Sequence, residues 1–165
     1  MSRILIIGCP GSGKSTLARA LAQITGLPLY YLDMIWHRPD GTEIDRADFD
    51  KELERILRQD HWIIDGNYLR TLPRRLERAD TVIWLHLPTD VCLEGAISRI
   101  GHPREDLPWV EEELDPEFKA YIQAFEQDQV PEISRLLAAC PDKVMTFTSR
   151  EAINEWIRKK SSPVK

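Results

Sequence analysis

The sequence predicts an α/β fold: an open, five-stranded parallel sheet flanked by helices on both faces. Three observations lead there. Strand-like apolar runs alternate with helix-periodic segments from end to end, the order that puts crossover helices between parallel strands. The first run, Arg3 to Ile7, is continuously apolar and rich in β-branched residues, as a strand covered on both faces is. A glycine-rich turn joins that run directly to a helix-periodic segment. At 165 residues the chain suits one compact domain, 1–165.

The elements follow in order. From Lys14 to Ile24, Leu17, Ala18, Leu21 and Ile24 keep helical spacing, and Gly26 and Pro28 stop the helix. Leu29 to Leu32 reads as a second strand, and His37 to Asp45 as a loop. Asp45 can cap a helix whose apolar face is Phe49, Leu53, Ile56 and Leu57. Trp62 to Ile64 is a third strand, ending at Asp65-Gly66. Thr81 to Leu87 is a fourth, stopped by Pro88. A helix from about Thr89 to Ile100 follows, then a loop from Gly101 to Pro108. Phe118, Tyr121, Ile122 and Phe125 mark another helix, and Ile133, Leu136 and Leu137 one more. Lys143 to Phe147 is the fifth strand, and Ile153, Trp156 and Ile157 lie on the last helix. The tail, 161–165, is expected to fray.

Gly8-Cys9-Pro10-Gly11-Ser12-Gly13-Lys14-Ser15 matches G-x-x-x-x-G-K-[ST], between a buried strand and an amphipathic helix. The glycines let the backbone curl so that N–H groups point at phosphate oxygens, and the helix adds its positive end. This predicts a P-loop NTPase fold and ATP with Mg²⁺ as cofactors. The expected cofactor-binding set is Gly8, Gly11, Ser12, Gly13, Lys14, Ser15 and Thr16. Lys14 should reach the β and γ phosphates, and the Ser15 hydroxyl should hold Mg²⁺. Cys9 sits at a variable position and reads as a small loop filler.

Other candidates lie beyond strand ends, where open α/β sheets bind ligands. Asp65 follows Trp62-Ile63-Ile64 as a Walker-B-type carboxylate serving Mg²⁺ would; the alternative is an Asp-Gly turn residue. Asp33 ends the second strand and is placed to orient an acceptor hydroxyl and take its proton; the alternative is a cap or turn. Of Arg70, Arg74 and Arg75, at least one should face the phosphate site, with Arg70 and Arg75 as candidates, and Arg78 should be an ordinary surface residue. Arg99 and Arg104 flank a segment near 98–108 that reads as a short lid, the alternative being merely a loop, and Arg99 is the candidate catalytic arginine there.

Composition narrows the partners. A formal net charge of −5, and seven acidic residues between Glu105 and Glu117, argue against direct nucleic-acid binding. Arg outnumbers Lys by 15 to 7, which suits local bidentate grips on phosphate. Three cysteines with no CxxC pair argue against a disulfide framework or Cys-based zinc site. The four histidines are scattered. The apolar start MSRILIIG is too short to span a membrane and lacks a signal-peptide cleavage pattern, so a cytoplasmic location is expected.

With the P-loop, LDMIW, WIIDGNY and RRLERADTVIWL in view, the chain resembles the adenylate kinase-like P-loop kinase group called DNA topology modulation protein, or FlaR-related. The likeness covers nearly the whole chain. It implies a central P-loop strand and a nucleoside- or nucleotide-kinase type of site. It maps Lys14 and Ser15 to the triphosphate and Mg²⁺, Asp65 to the Mg²⁺ shell, and Asp33 to the acceptor. In this chain the lid is shorter than that family's, His86 stands where an Asp is common, and Asn67-Tyr68 replaces the Phe-Pro-Arg of adenylate kinase itself.

The expected function is therefore ATP-dependent phosphotransfer to a small-molecule acceptor. The alternative is an ATP-binding regulatory protein with little turnover. A GTPase is disfavoured, since there is no Asn-Lys-x-Asp motif and Asp65-Gly66 lacks the usual switch-block spacer.

Overall fold

A computed structural model describes residues 1–163; Val164 and Lys165, part of the expected frayed tail, lie outside the described residues. Five strands form one parallel sheet: β1 (Arg3–Gly8), β2 (Leu29–Tyr31), β3 (Trp62–Asp65), β4 (Thr81–Leu85) and β5 (Val144–Phe147). Their order is β2-β3-β1-β4-β5, so the P-loop strand is central, as the resemblance implied. Pairing is in one register: Ile6 lies opposite Asp65, Ile7 opposite Trp84, and Tyr31 opposite Asp65. All five carboxyl ends therefore open on the same edge.

Among the described residues eight α-helices flank the sheet: α1 (Lys14–Thr25), α2 (Leu32–Trp36), α3 (Arg46–Leu57), α4 (Leu72–Arg78), α5 (Thr89–Ser98), α6 (Pro116–Asp128), α7 (Val130–Leu137) and α8 (Arg150–Ser161). Ile4 to Ile7 and Trp62 to Ile64 have no exposed surface, which is what continuous apolar runs achieve when helices cover both faces. The edge strand β5 is only half-buried. Phe49, Leu53, Ile56 and Leu57 form the buried face of α3, and Leu17, Ala18 and Leu21 that of α1. Gly26 stops α1 in the left-handed conformation, with its N–H on the Ala22 carbonyl. Among the described residues no helix is long and apolar enough to cross a membrane.

Several boundaries differ from expectation by one or two residues, and two of these strand ends bear on the site. β2 stops at Tyr31, and Leu32 opens the five-residue α2, so Asp33 sits in a helical first turn instead of ending a strand. Tertiary packing decides this. Leu32 is fully buried against Gly66, where an added Cβ would come within 2.9 Å of the leucine Cβ. Trp36 packs edge-on against Phe49 at 5.5 Å. A helix this short leaves no readable periodicity. β4 ends at Leu85 instead of Leu87.

Candidate active site

The P-loop runs from β1 into α1. The Ser12 N–H bonds the Cys9 carbonyl at 3.0 Å to make the turn, and Gly11 and Gly13 take positive φ values of 85° and 98°. Glycine is also required by contact. A Cβ on Gly11 would lie 1.9 Å from the Cys92 carbonyl, and one on Gly95 would lie 2.1 Å from the Gly11 carbonyl. The loop thus rests backbone-to-backbone on α5. From the far side Arg150, at the start of α8, donates to the Gly11 and Ser12 carbonyls at 2.9 and 3.3 Å.

At the head of α1, Lys14 makes a long 3.4 Å contact to the Cys9 carbonyl. The Ser15 hydroxyl donates to Asp65 Oδ2 at 2.7 Å. Asp65 is 5% exposed, and its second oxygen, Oδ1, has no hydrogen-bond partner. Burial pushes the Asp65 carboxyl up to about 6; Lys14 and Ser15 oppose that shift, while Asp106 and Asp33 add to it.

The segment after Asp65 completes the wall. Asn67 receives the Gly8 N–H on Oδ1 at 3.0 Å and returns its amide to the Gly8 carbonyl at 2.8 Å. Tyr68 takes φ 38°, an uncommon conformation for a non-glycine residue, and its hydroxyl donates to Asp33 Oδ1 at 2.5 Å. Burial first, and then the Asp33 charge, raise the Tyr68 pKa, so the phenol keeps its proton and is the donor.

Arg75 holds this segment from beneath. It is fully buried and donates to the carbonyls of Gly66 (2.9 Å), Asn67 and Tyr68 (3.1 Å), and to the Thr71 hydroxyl. Burial pulls its pKa down to about 9, which leaves it charged at neutral pH. Arg70 is not brought to the phosphates: it forms an exposed pair with Asp50 at 2.7 Å. Arg74 pairs with Glu54 and Glu77. Arg78, expected to be an ordinary surface residue, is half-buried with its Nε on the Leu57 carbonyl at 2.9 Å.

The lid segment carries the opposite wall. Arg99 is half-buried, with Nε lacking a partner. Arg104 grips Asp106 through two bonds of 3.0 and 2.6 Å and also pairs with Glu111. Burial works against the Asp106 charge, but the Arg104 bonds outweigh it and hold that carboxyl below the usual range.

Two cavities result. One, of about 660 Å³, is lined by Gly13, Thr16, Arg19, Glu94, His102 and Arg150 among others. The other, of about 350 Å³, includes Lys14, Tyr31, Asp33, Asp65, Tyr68 and Tyr121 in its lining. Gly11, Ser15, Arg99, Arg104 and Asp106 line both, so the cavities meet at the head of α1. The structure therefore brings Lys14, Ser15, Asp33, Asp65 and Arg99 together, with Gly11, Gly13 and Thr16 on the larger cavity. Ser12 is buried within the loop, and Gly8 is bound by Asn67. Sequence reasoning missed Asn67, Tyr68, Asp106 and Arg150. The glycine inside the α5 helical pattern, Gly95, was a readable sign of close backbone packing.

Residues 4–114 match the model of the AAA domain family. The chain belongs to that family. No curated protein sequence matches it. Among solved structures, shikimate kinase from Bacteroides thetaiotaomicron is 22% identical with a TM-score of 0.61, over 96% of this chain and 95% of that one. Shikimate kinase from Acinetobacter baumannii, in complex with shikimate, is 15% identical with a TM-score of 0.63, over 96% and 90%. A gluconokinase from Sinorhizobium meliloti 1021 is 17% identical with a TM-score of 0.58, over 96% and 89%. These likenesses establish that the AAA-family chain has the P-loop kinase fold along nearly its full length.

Proposed function

We propose that this chain is an ATP-dependent phosphotransferase acting on a small hydroxyl-bearing acceptor, in the cytoplasm. One observation carries the reading: two cavities of different size meet at Gly11, Ser15 and Arg99, with Lys14 on the smaller one, a layout that lets a nucleotide and a second molecule face each other across one phosphoryl group. The kinase names of its structural neighbours point the same way.

The larger cavity holds ATP, with its phosphates against the N–H groups of the loop from Gly11 to Ser15. Lys14 then leaves its long contact to Cys9 for the β and γ oxygens. The donor set fits Mg²⁺: a serine hydroxyl beside a buried carboxylate whose other oxygen lacks a partner. Ser15 and Asp65 would hold the ion, which supplies charge neutralisation on the phosphates. Arg99 faces both cavities and stabilises the transferring group. Asp33, fixed by Tyr68, orients the acceptor hydroxyl and takes its proton.

The second reading is an ATP-binding regulatory protein with little turnover, linked to DNA topology through the sequence resemblance alone. The engagement of Arg104 by two carboxylates favours it, because that guanidinium is not free for phosphate. Acceptor-stimulated ADP release, measured across nucleosides, nucleoside monophosphates and sugars, separates the two. Stimulation supports the transferase; Mg·ATP binding without stimulation supports the regulator.

A further inference from the structure

The smaller cavity has a chemical character of its own. Among the described residues that line it, the cations are Lys14, Arg99 and Arg104. Lys14 lines this cavity and Arg99 lines both, and on the phosphotransferase reading the phosphates engage the two; Arg104 is already bound to Asp106 and Glu111. Two further arginines close in sequence are also committed. Arg75 is buried beneath the wall on three backbone carbonyls, and Arg70 faces outward on Asp50.

What the acceptor end offers instead is one carboxylate and a set of rings. Asp33 has Oδ1 on the Tyr68 hydroxyl, which leaves Oδ2 to receive a hydroxyl from an acceptor. Tyr31, Tyr68, Phe118 and Tyr121 contribute aromatic surface. Tyr121 is 39% exposed, a large apolar side chain left open beside the cavity. Once the phosphates engage Lys14 and Arg99, an anionic acceptor would be buried next to Asp33, Asp65 and Asp106 with no further uncommitted cation for its charge, a like-charge arrangement that selects against it.

We propose that the acceptor is a hydroxyl compound that carries no anionic group and lays a ring face on this aromatic wall. This rests on the phosphotransferase reading. A cavity of about 350 Å³ takes a monocyclic polyol or a nucleoside. Nucleosides and neutral sugars share the required chemistry, a hydroxyl with a ring face.

The test uses the full chain with Mg·ATP and matched acceptor pairs: uridine with uridine 5′-monophosphate, glucose with gluconate, and myo-inositol with shikimate. The readout is acceptor-dependent ADP formation. The expected result is that the stimulating acceptors are the non-anionic members, favoured by about tenfold or more in kcat/KM, the scale of a like-charge penalty. Whether uridine or a sugar leads then names the source. Gln129→Arg, which adds a cation to the same wall, should shift the ratio towards the anionic members while calorimetric Mg·ATP affinity holds. A preference for uridine 5′-monophosphate, gluconate or shikimate in the parent protein overturns the proposal and leaves the phosphotransferase standing. No stimulation by any compound, with Mg·ATP still bound, overturns the phosphotransferase itself.

Discussion

Asn67 and Gly8 exchange two hydrogen bonds, the Gly8 N–H to Oδ1 at 3.0 Å and the amide Nδ2 to the Gly8 carbonyl at 2.8 Å. One side chain thus acts as a strand partner for the residue at which β1 becomes the phosphate loop. It ties the loop to the turn that carries Asp65.

Asn67→Ala leaves both Gly8 groups without their partner. The expected cost is about 1–3 kcal/mol of stability, because buried backbone groups lose their bonds. A thermal melt should fall by several degrees, at about 2–4 °C per kcal/mol for a chain of this size. Calorimetry should show weaker Mg·ATP binding. An unchanged melt and unchanged affinity refute the role.

Lys14→Ala removes a cation from the triphosphate. A charge-assisted hydrogen bond contributes about 1.5–3 kcal/mol, so Mg·ATP affinity should fall by roughly 10- to 150-fold. Thermal stability without ligand should hold, since the Lys14 contact to the Cys9 carbonyl is long, at 3.4 Å. Equal affinity and equal turnover in the variant would refute the assignment.

Asp33→Asn keeps an oxygen for Tyr68 to donate to and removes the charge. Acceptor-dependent transfer should drop by about 10²- to 10⁴-fold, the range for losing a general base, with Mg·ATP affinity nearly intact. A parallel loss of melting temperature and of both activities would mark Asp33 as structural.

Asp65 makes stability depend on pH in a set direction. Burial raises its carboxyl from 3.8 to about 6 in the folded protein. The unfolded chain therefore ionises first, and the folded state binds the extra proton between those values. Its contribution is complete below about 3.8 and is lost as pH rises through about 6. The difference is on the order of 3 kcal/mol in the ligand-free protein. Asp65→Asn should flatten this slope and stabilise the ligand-free protein at pH 7, while abolishing Mg²⁺-dependent nucleotide binding. A denaturant midpoint followed from pH 4 to 8 in both proteins checks it.

The arginines give the sharpest contrast. Arg70→Ala should leave activity unchanged and stability within about 0.5 kcal/mol, as exposed pairs usually do. Arg75→Lys should cost about 3 kcal/mol or more, because an ammonium cannot serve three carbonyls and a hydroxyl spread around a planar fork. The loss should appear in the melt before it appears in catalysis.

These residues also show what a sequence can disclose. The P-loop and the parallel sheet were legible because they rest on local rules: glycine geometry, helix periodicity and unbroken apolar runs. Asp65 was legible as the polar end of such a run. Arg70 and Arg75 were indistinguishable, since nothing in the chain tells which arginine lies under the turn and which meets Asp50. Asp106 lay hidden in an acidic run that reads as a solvated face, until Arg104 folded it inward. Asn67 and Arg150 act across 59 and 139 residues, a separation at which no local pattern helps.

The Arg150 clasp has a bearing on how the protein is made. Gly11 leaves the ribosome 139 residues ahead of the guanidinium that fastens its carbonyl. Residues 4–114, the portion shared with the AAA domain family, end well short of it. During vectorial synthesis the loop exists without its fastening while those 139 residues are added. On the proposed reading, ATP would then stabilise molecules whose clasp has formed over those still without it, since a ligand favours only the state that binds it. Ribosome-bound chains stalled before β5 should fail to retain a fluorescent ATP analogue that chains extended past α8 hold. Retention by the shorter chains would show that the loop closes without its clasp.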